Sequence, residues 1–442
     1  MAATVEKFSR LAALKPTRAI PARPATLRTP NEEDRLSRLL GAGINSNRFG
    51  EHVVVRNWCS TPEFVEPSSI ALDLLARHRD EALSRRTRAA LADPAKWLFL
   101  DTETTGLAGG TGTYAFLVGL AWWDAGGLQV EQLLMRDFSE EHSVLHELAR
   151  HAAERSVLIT FNGKTFDWPL LENRFTMTRS IPVPRLAAHL DLLHPARSLW
   201  KLRLGSVRLV ELERHVLDPT RLGWTRDDDV PNSMIPQFYF DYLRGGPPSP
   251  LAGVVRHNQM DLRGLGALFG KINTMLSEQT KSSDIEALDL FGLSRFLHRR
   301  GEPARAQSAC AQAISAGLPA EFRPQAHREL AAHAKRSGDH GRAAALWHEI
   351  AGDPRDGAHA CEQLAIYYER RAKDHVHALE FARLALASLR RSRGTRRDLS
   401  GQAGFARVEA NLLKRMARLE HRIRSCSGAG NQTQFPAAQP SI

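Results

Sequence analysis

The sequence predicts an α/β domain, a mixed sheet with helices on its faces, followed by an all-α helical-repeat domain. Three observations predict it. Between Trp97 and Leu193, apolar runs of strand length come first in succession and then alternate with helical text, the pattern of a mixed sheet covered by helices. After Ser282 the strand-like runs stop and Ala-rich helical text takes over. That text repeats: Gly301–Ala306, Gly338–Ala343 and Lys373–Ala378 are turn segments 37 and 35 residues apart, each ending on an Ala that opens a second helix. A helix–turn–helix unit with a period of about 34 residues is tetratricopeptide-like, and three such units can bury a shared core.

The elements follow in chain order. Residues 1–30 carry Pro16, Pro21, Pro24 and Pro30 among basic and small residues and read as a disordered lead. Residues 31–94 form an N-terminal extension, helical at Asp34–Leu40 and Ile70–Leu91 and strand-like at His52–Val55. Trp97–Leu100, Tyr114–Trp123 and Leu128–Met135 read as consecutive antiparallel strands, the last two joined through Gly126–Gly127. Ser139 is a good N-cap for a helix through Val144, Leu145 and Leu148. Val157–Phe161 is a strand leading into Asn162–Gly163, and a helix from about Thr165 carries Leu170, Leu171 and Phe175. Leu186–Leu193 is a further strand, Ser206 caps a helix through Leu212, and Pro231–Pro236 is loop. Gly245–Pro250 breaks the chain before a last helix over Leu251–Leu276. The α/β domain therefore spans 95–278, the repeats 284–392, a basic helical end 393–425 and a disordered tail 426–442.

Composition narrows the function classes. The chain has 442 residues, two or three domains at about 150 residues each. With 43% apolar and 25% charged residues it is neither globally disordered nor fibrous. No apolar run approaches the roughly 20 residues of a membrane helix, and no apolar stretch near the N-terminus makes a secretory signal. Cys59, Cys310, Cys361 and Cys426 stand far apart without a CxxC, so neither a zinc site nor a disulfide framework is expected, and a reducing cytoplasm fits. The charge is localised. Arg383 to Arg424 holds twelve Lys/Arg against three Asp/Glu, an excess of +9 out of a formal net charge of +11. Such a stripe attracts polyanions, above all nucleic acid; a solvated Arg-rich helix face accounts for it equally well on charge alone.

Three constellations carry chemistry. Asp101-Thr-Glu103 ends the first strand of the α/β domain, and alternate strand residues share a face, so the two carboxylates converge. Two buried like charges are costly without a cation, and carboxylates with water and phosphate oxygens suit Mg²⁺ or Mn²⁺. Taken alone, a DxE is more often a surface pair. Asn162 and Asp167 bracket the turn after another strand, with Asp167 in the first turn of a helix, where helix-dipole stabilisation is the bland explanation. His257 and Asp261 stand four apart on the last helix and reach one point; alone, they read as a helix surface pair. Asp191 reads as structural rather than a ligand, and Asp227–Asp229 as a solvated loop. Gly109, Gly110 and Gly112 read as a turn between strands rather than a phosphate loop, since no GK[ST] follows. Trp122, Trp123 and Trp168 read as core.

Together, a DxETTG on the first strand, a later N-x₄-D and a final helical H-x₃-D resemble the DnaQ-like exonucleases with four acidic ligands, of the ribonuclease H-like fold. The stretch from Asp34 to Leu276 resembles the YprB-type ribonuclease H-like proteins more closely. The resemblance is carried by Asp101–Leu107, Phe116–Gly119, Phe161–Pro169, His189–His194, Leu202–Ser206 and Tyr239–Arg244, with Leu39–Ala42 and Gly50–His52 ahead of them. One departure stands out. The larger family ends in a His five residues before the last Asp or a Tyr four before it; here a His stands four before Asp261.

The resemblance implies phosphodiester hydrolysis with two ions of Mg²⁺ or Mn²⁺. It implies Asp101, Glu103, Asp167 and Asp261 as ligands, Asp101 shared, with His257 handling the attacking water and Thr104 and Asn162 touching substrate. The expected protein is a cytoplasmic 3′–5′ exonuclease acting on DNA or RNA, with repeats open to a protein partner and no membrane association. The alternative is a catalytically idle platform on the same fold that binds nucleic acid or recruits a protein; all four acidic positions are filled, which favours the enzyme. A nucleic-acid tether driven by the basic end alone is the third reading.

Overall fold

The computed structural model describes residues 30–60, 62, 64–76, 83–106, 112–277, 285–393 and 399–429. The expected lead, the turn glycines Gly109 and Gly110, and the tail beyond Ala429 lie outside the described residues.

One seven-stranded sheet forms the centre. Its strands are β1 (Gly43–Asn47), β2 (Gly50–Cys59), β3 (Trp97–Thr104), β4 (Ala115–Asp124), β5 (Gly127–Leu134), β6 (Val157–Thr160) and β7 (Ala188–Asp191), in the order β1-β2-β5-β4-β3-β6-β7. From β1 to β3 every pairing is antiparallel; β3, β6 and β7 run parallel. The sheet is mixed, as the element order predicts. β4 is the central strand, and Ala115–Ala121 is buried without alternation, which a strand covered on both faces requires. β1 is absent from the sequence reading because Gly-Ile-Asn-Ser-Asn carries no apolar alternation; it is an edge strand held by its register on β2. β3 outruns its apolar part, continuing through Asp101–Thr104, and this extension carries the first motif.

Helices cover both faces. α1 (Pro30–Leu40) precedes the sheet. The segment read as one helix over Ile70–Leu91 is two, α2 (Ser69–Ala76) and α3 (Arg85–Ala92), the second capped by the Ser84 hydroxyl on the Thr87 amide. α4 (Glu141–Glu154) lies between β5 and β6. Its lead-in is capped by Asp137, which accepts from the Ser139 amide at 2.7 Å and from the Ser139 hydroxyl, so Ser139 is a donor here and not the cap. α5 (Asp167–Thr178) follows β6. The expected strand to Leu193 stops at Asp191 and gives way to α6 (Leu193–Leu204), whose Pro195 sits in the first turn, where a missing N–H costs no hydrogen bond. α7 (Leu209–Val216) starts after Arg208 rather than from Ser206. A short α8 (Pro219–Leu222) follows, and Pro231–Pro236 leads directly into α9 (Ile235–Leu243), with Pro236 again in a first turn. α10 (Ser249–Leu276) crosses the sheet and buries Leu262, Leu265 and Phe269 against Trp97, Phe99 and Leu128.

The remainder is helical: α11 (Ala287–Arg299), α12 (Pro303–Ser315), α13 (Arg323–Arg336), α14 (His340–Ile350), α15 (Gly357–Tyr367), α16 (His375–Arg393) and α17 (Leu399–Ala429). The three repeated turns fall between helix pairs. Gly301, Gly338 and Lys373 all adopt a positive φ there, and Ala306, Ala343 and Ala378 are buried. α17 docks on α16 through Leu412 and Leu419 and runs to Ala429, past the point where tail was expected. The helical region is joined to the sheet domain by close packing: a Cβ on Gly292 of α11 would stand 2.5 Å from the Leu199 carbonyl oxygen of α6, and Arg203 grips Asp289 through two nitrogens. No helix among the described residues is long and apolar enough to cross a membrane.

Candidate active site

The site begins at the end of β3. Asp101 and Glu103 point to one face of the strand, where α10 crosses it. Asn258 Nδ2 on α10 donates to Asp101 Oδ2 at 2.8 Å, and Asn258 Oδ1 accepts from Gln132 Nε2 at 2.9 Å. This close approach of helix to sheet is possible because β4 carries Gly119 opposite Asp101; a Cβ there would lie 2.1 Å from Asn258 Oδ1. One turn of α10 brings His257 and Asp261 to the same place: His257 Nε2 is 3.6 Å from Asp261 Oδ2 and 4.0 Å from Glu103 Oε1. Asp167 enters from the start of α5, where its Oδ1 accepts from the Thr102 hydroxyl at 2.5 Å. The structure thus brings Asp101, Glu103, Asp167, Asp261 and His257 into one cluster.

The electrostatics of the cluster are those of carboxylates short of positive charge. Burial raises the Asp101 carboxyl well above its usual range, and Asp261, Glu103 and Asp167 add to the shift. Burial likewise raises Glu103, with Asp261, Asp167 and Asp229 contributing. Burial pushes Asp167 up to about 6, against the pull of the Thr102 hydrogen bond. A cation would relieve all three, so the donor set fits divalent ions; Asp101, Glu103, Asp167 and Asp261 are the residues that would hold them.

Thr104 donates to the Gly106 carbonyl at 3.0 Å and lines a cavity of about 410 Å³ together with Thr102, Phe166 and Asp167. Phe166 is 56% exposed at its edge. Asn162, expected to touch substrate, has a different duty visible in its backbone. It turns the chain at φ +69, and its amide donates to Asp191 Oδ1 at 2.8 Å. Asp191 also accepts from the Lys164 and Leu193 amides, so it shapes the loop that delivers Asp167. That is the structural role its strand position suggests. Trp168 is buried as expected; Trp122 and Trp123 are only half-buried at the end of β4.

In the loop Asp227–Asp229, Asp227 and Asp228 are exposed as expected, but Asp229 is not simply solvated. Asp229 Oδ1 lies 2.7 Å from His257 Nδ1, and its Oδ2 accepts from Arg226 Nη1 at 2.9 Å. Arg226 also donates to Asp261 Oδ1 at 2.5 Å and to both oxygens of Glu213. Burial opposes ionisation of Asp229, but His257 and Arg226 outweigh it and hold the carboxyl below its usual range. Sequence reasoning missed Arg226 and Glu213. The available signal was an Arg followed by three Asp in a loop too short of apolar residues to be core.

Among the described residues, the group whose potential ligand atoms lie mutually closest is separate from this cluster. Glu131, Glu147 and His151 present atoms within 4.8 Å of one another. Arg56 pairs with Glu131 at 2.7 Å and Arg150 with Glu147 at 2.6 Å, so guanidinium groups already compensate these carboxylates.

Residues 98–273 match the family model of the RNase_H superfamily. This segment is a ribonuclease H-like domain. The matched span runs from β3 to α10 and contains all four clustered carboxylates and His257. Over 293 residues the chain is 29% identical to the Uncharacterized protein YprB of Bacillus subtilis (strain 168), covering 65% of this chain and 68% of that protein. The ribonuclease H-like assignment points to a hydrolase of nuclease type, to nucleic acid as its substrate class and to divalent metal as its usual requirement. The match stops short of the helical hairpins, which lie beyond residue 273.

Proposed function

We propose that the protein is a metal-dependent nuclease of the four-carboxylate type, a cytoplasmic 3′–5′ exonuclease acting on DNA or RNA. The observation that carries this reading is the gathering of Asp101, Glu103, Asp167 and Asp261 around His257, with the carboxyls of Asp101, Glu103 and Asp167 raised above their usual range, by burial first. Two ions of Mg²⁺ or Mn²⁺ held there would stabilise the attacking and leaving oxygens of an in-line displacement.

The chain's own residues do the rest. Asn258 fixes one oxygen of Asp101 and leaves the other for the cluster. Thr102 fixes Asp167 in the same way. His257, its Nδ1 turned to Asp229, keeps Nε2 on the carboxylate side, where it can take a proton from attacking water. The cavity beside Thr104 has room for a terminal nucleotide, and the exposed ring of Phe166 offers it a stacking face. The helical hairpins are proposed as tetratricopeptide-like repeats that present a surface to a protein partner.

One observation favours the idle-platform reading: the Arg226 guanidinium already sits on Asp261. Oligonucleotides labelled at the 5′ or the 3′ end separate the two readings. A ladder shortening from the 3′ end with Mn²⁺, on DNA or RNA, is the expected product; binding without cleavage supports the platform.

A further inference from the structure

His257 combines the residue of one family pattern with the spacing of the other, and a spacing of four does not by itself fix which ring nitrogen faces the carboxylates. The loop between α8 and α9 does. Asp229 Oδ1 is 2.7 Å from Nδ1 of a ring that is 3% exposed. An ionised carboxylate can only accept, so Nδ1 carries a proton, and in the neutral form of the ring it is Nε2 that presents the lone pair. Nε2 is the nitrogen facing Asp261 and Glu103.

Asp229 is itself braced. Arg226 Nη1 holds its Oδ2 at 2.9 Å, and Arg226 is fixed by Glu213 through Nε at 2.6 Å and Nη2 at 2.7 Å. The same guanidinium reaches Asp261 at 2.5 Å. Gly264 makes room for this brace, since a Cβ there would lie 2.1 Å from Glu213 Oε1. The groups facing the ring are therefore Glu103 from β3, Asp261 from its own helix and Asp229 from the loop, with Arg226 behind Asp229.

We infer that Asp229 is a positioning residue that sets the tautomer of His257, and that the Glu213–Arg226 pair holds Asp229 in place for it. The catalytic part of this inference rests on the proposed nuclease reading; the tautomer does not. The test uses the full chain labelled with ¹⁵N-histidine, metal-free, with the His257 signals assigned by their loss in His257→Gln. Two-bond ¹H–¹⁵N spectra at a pH where the ring is neutral should show Nδ1 protonated and Nε2 bare. Asp229→Asn, whose amide can donate to Nδ1, should shift population to the Nε2–H form and lower kcat by about 10²–10⁴-fold with KM little changed. A parent His257 in the Nε2–H form overturns the inference whether or not the variant folds, as does a folded Asp229→Asn with the parent's tautomer. A tautomer change without any change in kcat upholds the positioning and removes His257 from the chemistry. A parent protein that cuts nothing refutes the nuclease reading and leaves the spectra to decide this one.

Discussion

Asn258 holds Asp101 at 2.8 Å from α10, across an opening that exists only because β4 carries a glycine at position 119. The amide is bound on its other side by Gln132 and is fully buried, so it has nowhere to retreat.

Gly119→Ala should therefore be poorly tolerated. Its Cβ would meet Asn258 Oδ1 at 2.1 Å and Leu262 Cδ1 at 2.8 Å. Overpacking of this kind costs about 1–3 kcal/mol, and tilting α10 would carry His257 and Asp261 with it. Thermal melting and the cleavage rate should both fall. A variant with the parent's melting temperature and rate would show that Asn258 and α10 are not fixed as described.

The raised carboxyls give a pH dependence with a definite sign. A folded-state value above the unfolded one means that the folded protein binds more protons between the two, so its stability falls as pH rises through that window. For Asp167 the window runs from 3.8 to about 6, and Asp101 and Glu103 shift the same way. Metal binding needs the ionised forms, so the rise in melting temperature given by Mn²⁺ should be small near about pH 5 and larger near about pH 7.5. An increment of the same size at both values would place the ion elsewhere.

The three motifs were legible because each depends on local spacing: strand alternation for Asp101 and Glu103, one helical turn for His257 and Asp261. The mixed character of the sheet followed from the apolar runs, and the helix pairs from the repeated turns. What was not legible arises between segments distant in sequence. Asp229 looked like a solvated loop residue because its partner lies 28 positions away. Asn258 drew no reading because its partners Asp101 and Gln132 lie 157 and 126 positions away. β1 and α6 were missed because edge pairing and a first-turn proline leave no periodic signal. Asn162 matched a motif position, but its left-handed backbone and its bond to Asp191 give that position a structural reason as well.

The basic end divides into braced and exposed charges. Arg383 pairs with Glu420, Arg390 with Glu409, and Arg415 and Arg418 with the buried Glu369, so part of the excess stitches α16, α17 and the turn after α15 together. Removing α17 would uncover Ala378 and Ala385, which makes truncation a poor test. Arg407, Lys414 and Arg424 are exposed along α17. Changing all three to Glu should weaken oligonucleotide binding and flatten its salt dependence, at a slope of about 0.7–0.9 per neutralised phosphate, while cleavage of saturating substrate persists. An unchanged salt slope in the folded variant would make these charges a solvated helix face.

The central claim is that the buried carboxylate cluster is a metal-dependent phosphodiesterase site. Asp101→Asn tests it most directly, because it keeps the shape and the Asn258 contact while removing one negative charge from the cluster. The parent, incubated with end-labelled DNA and RNA and Mn²⁺, should give a product ladder that disappears on chelation. The variant should give almost none, while its metal-free form melts at or above the parent's temperature because one buried like charge is gone. A variant that melts at or above the parent's temperature and cleaves at the parent's rate, or a parent that cleaves nothing under these conditions, would contradict the account.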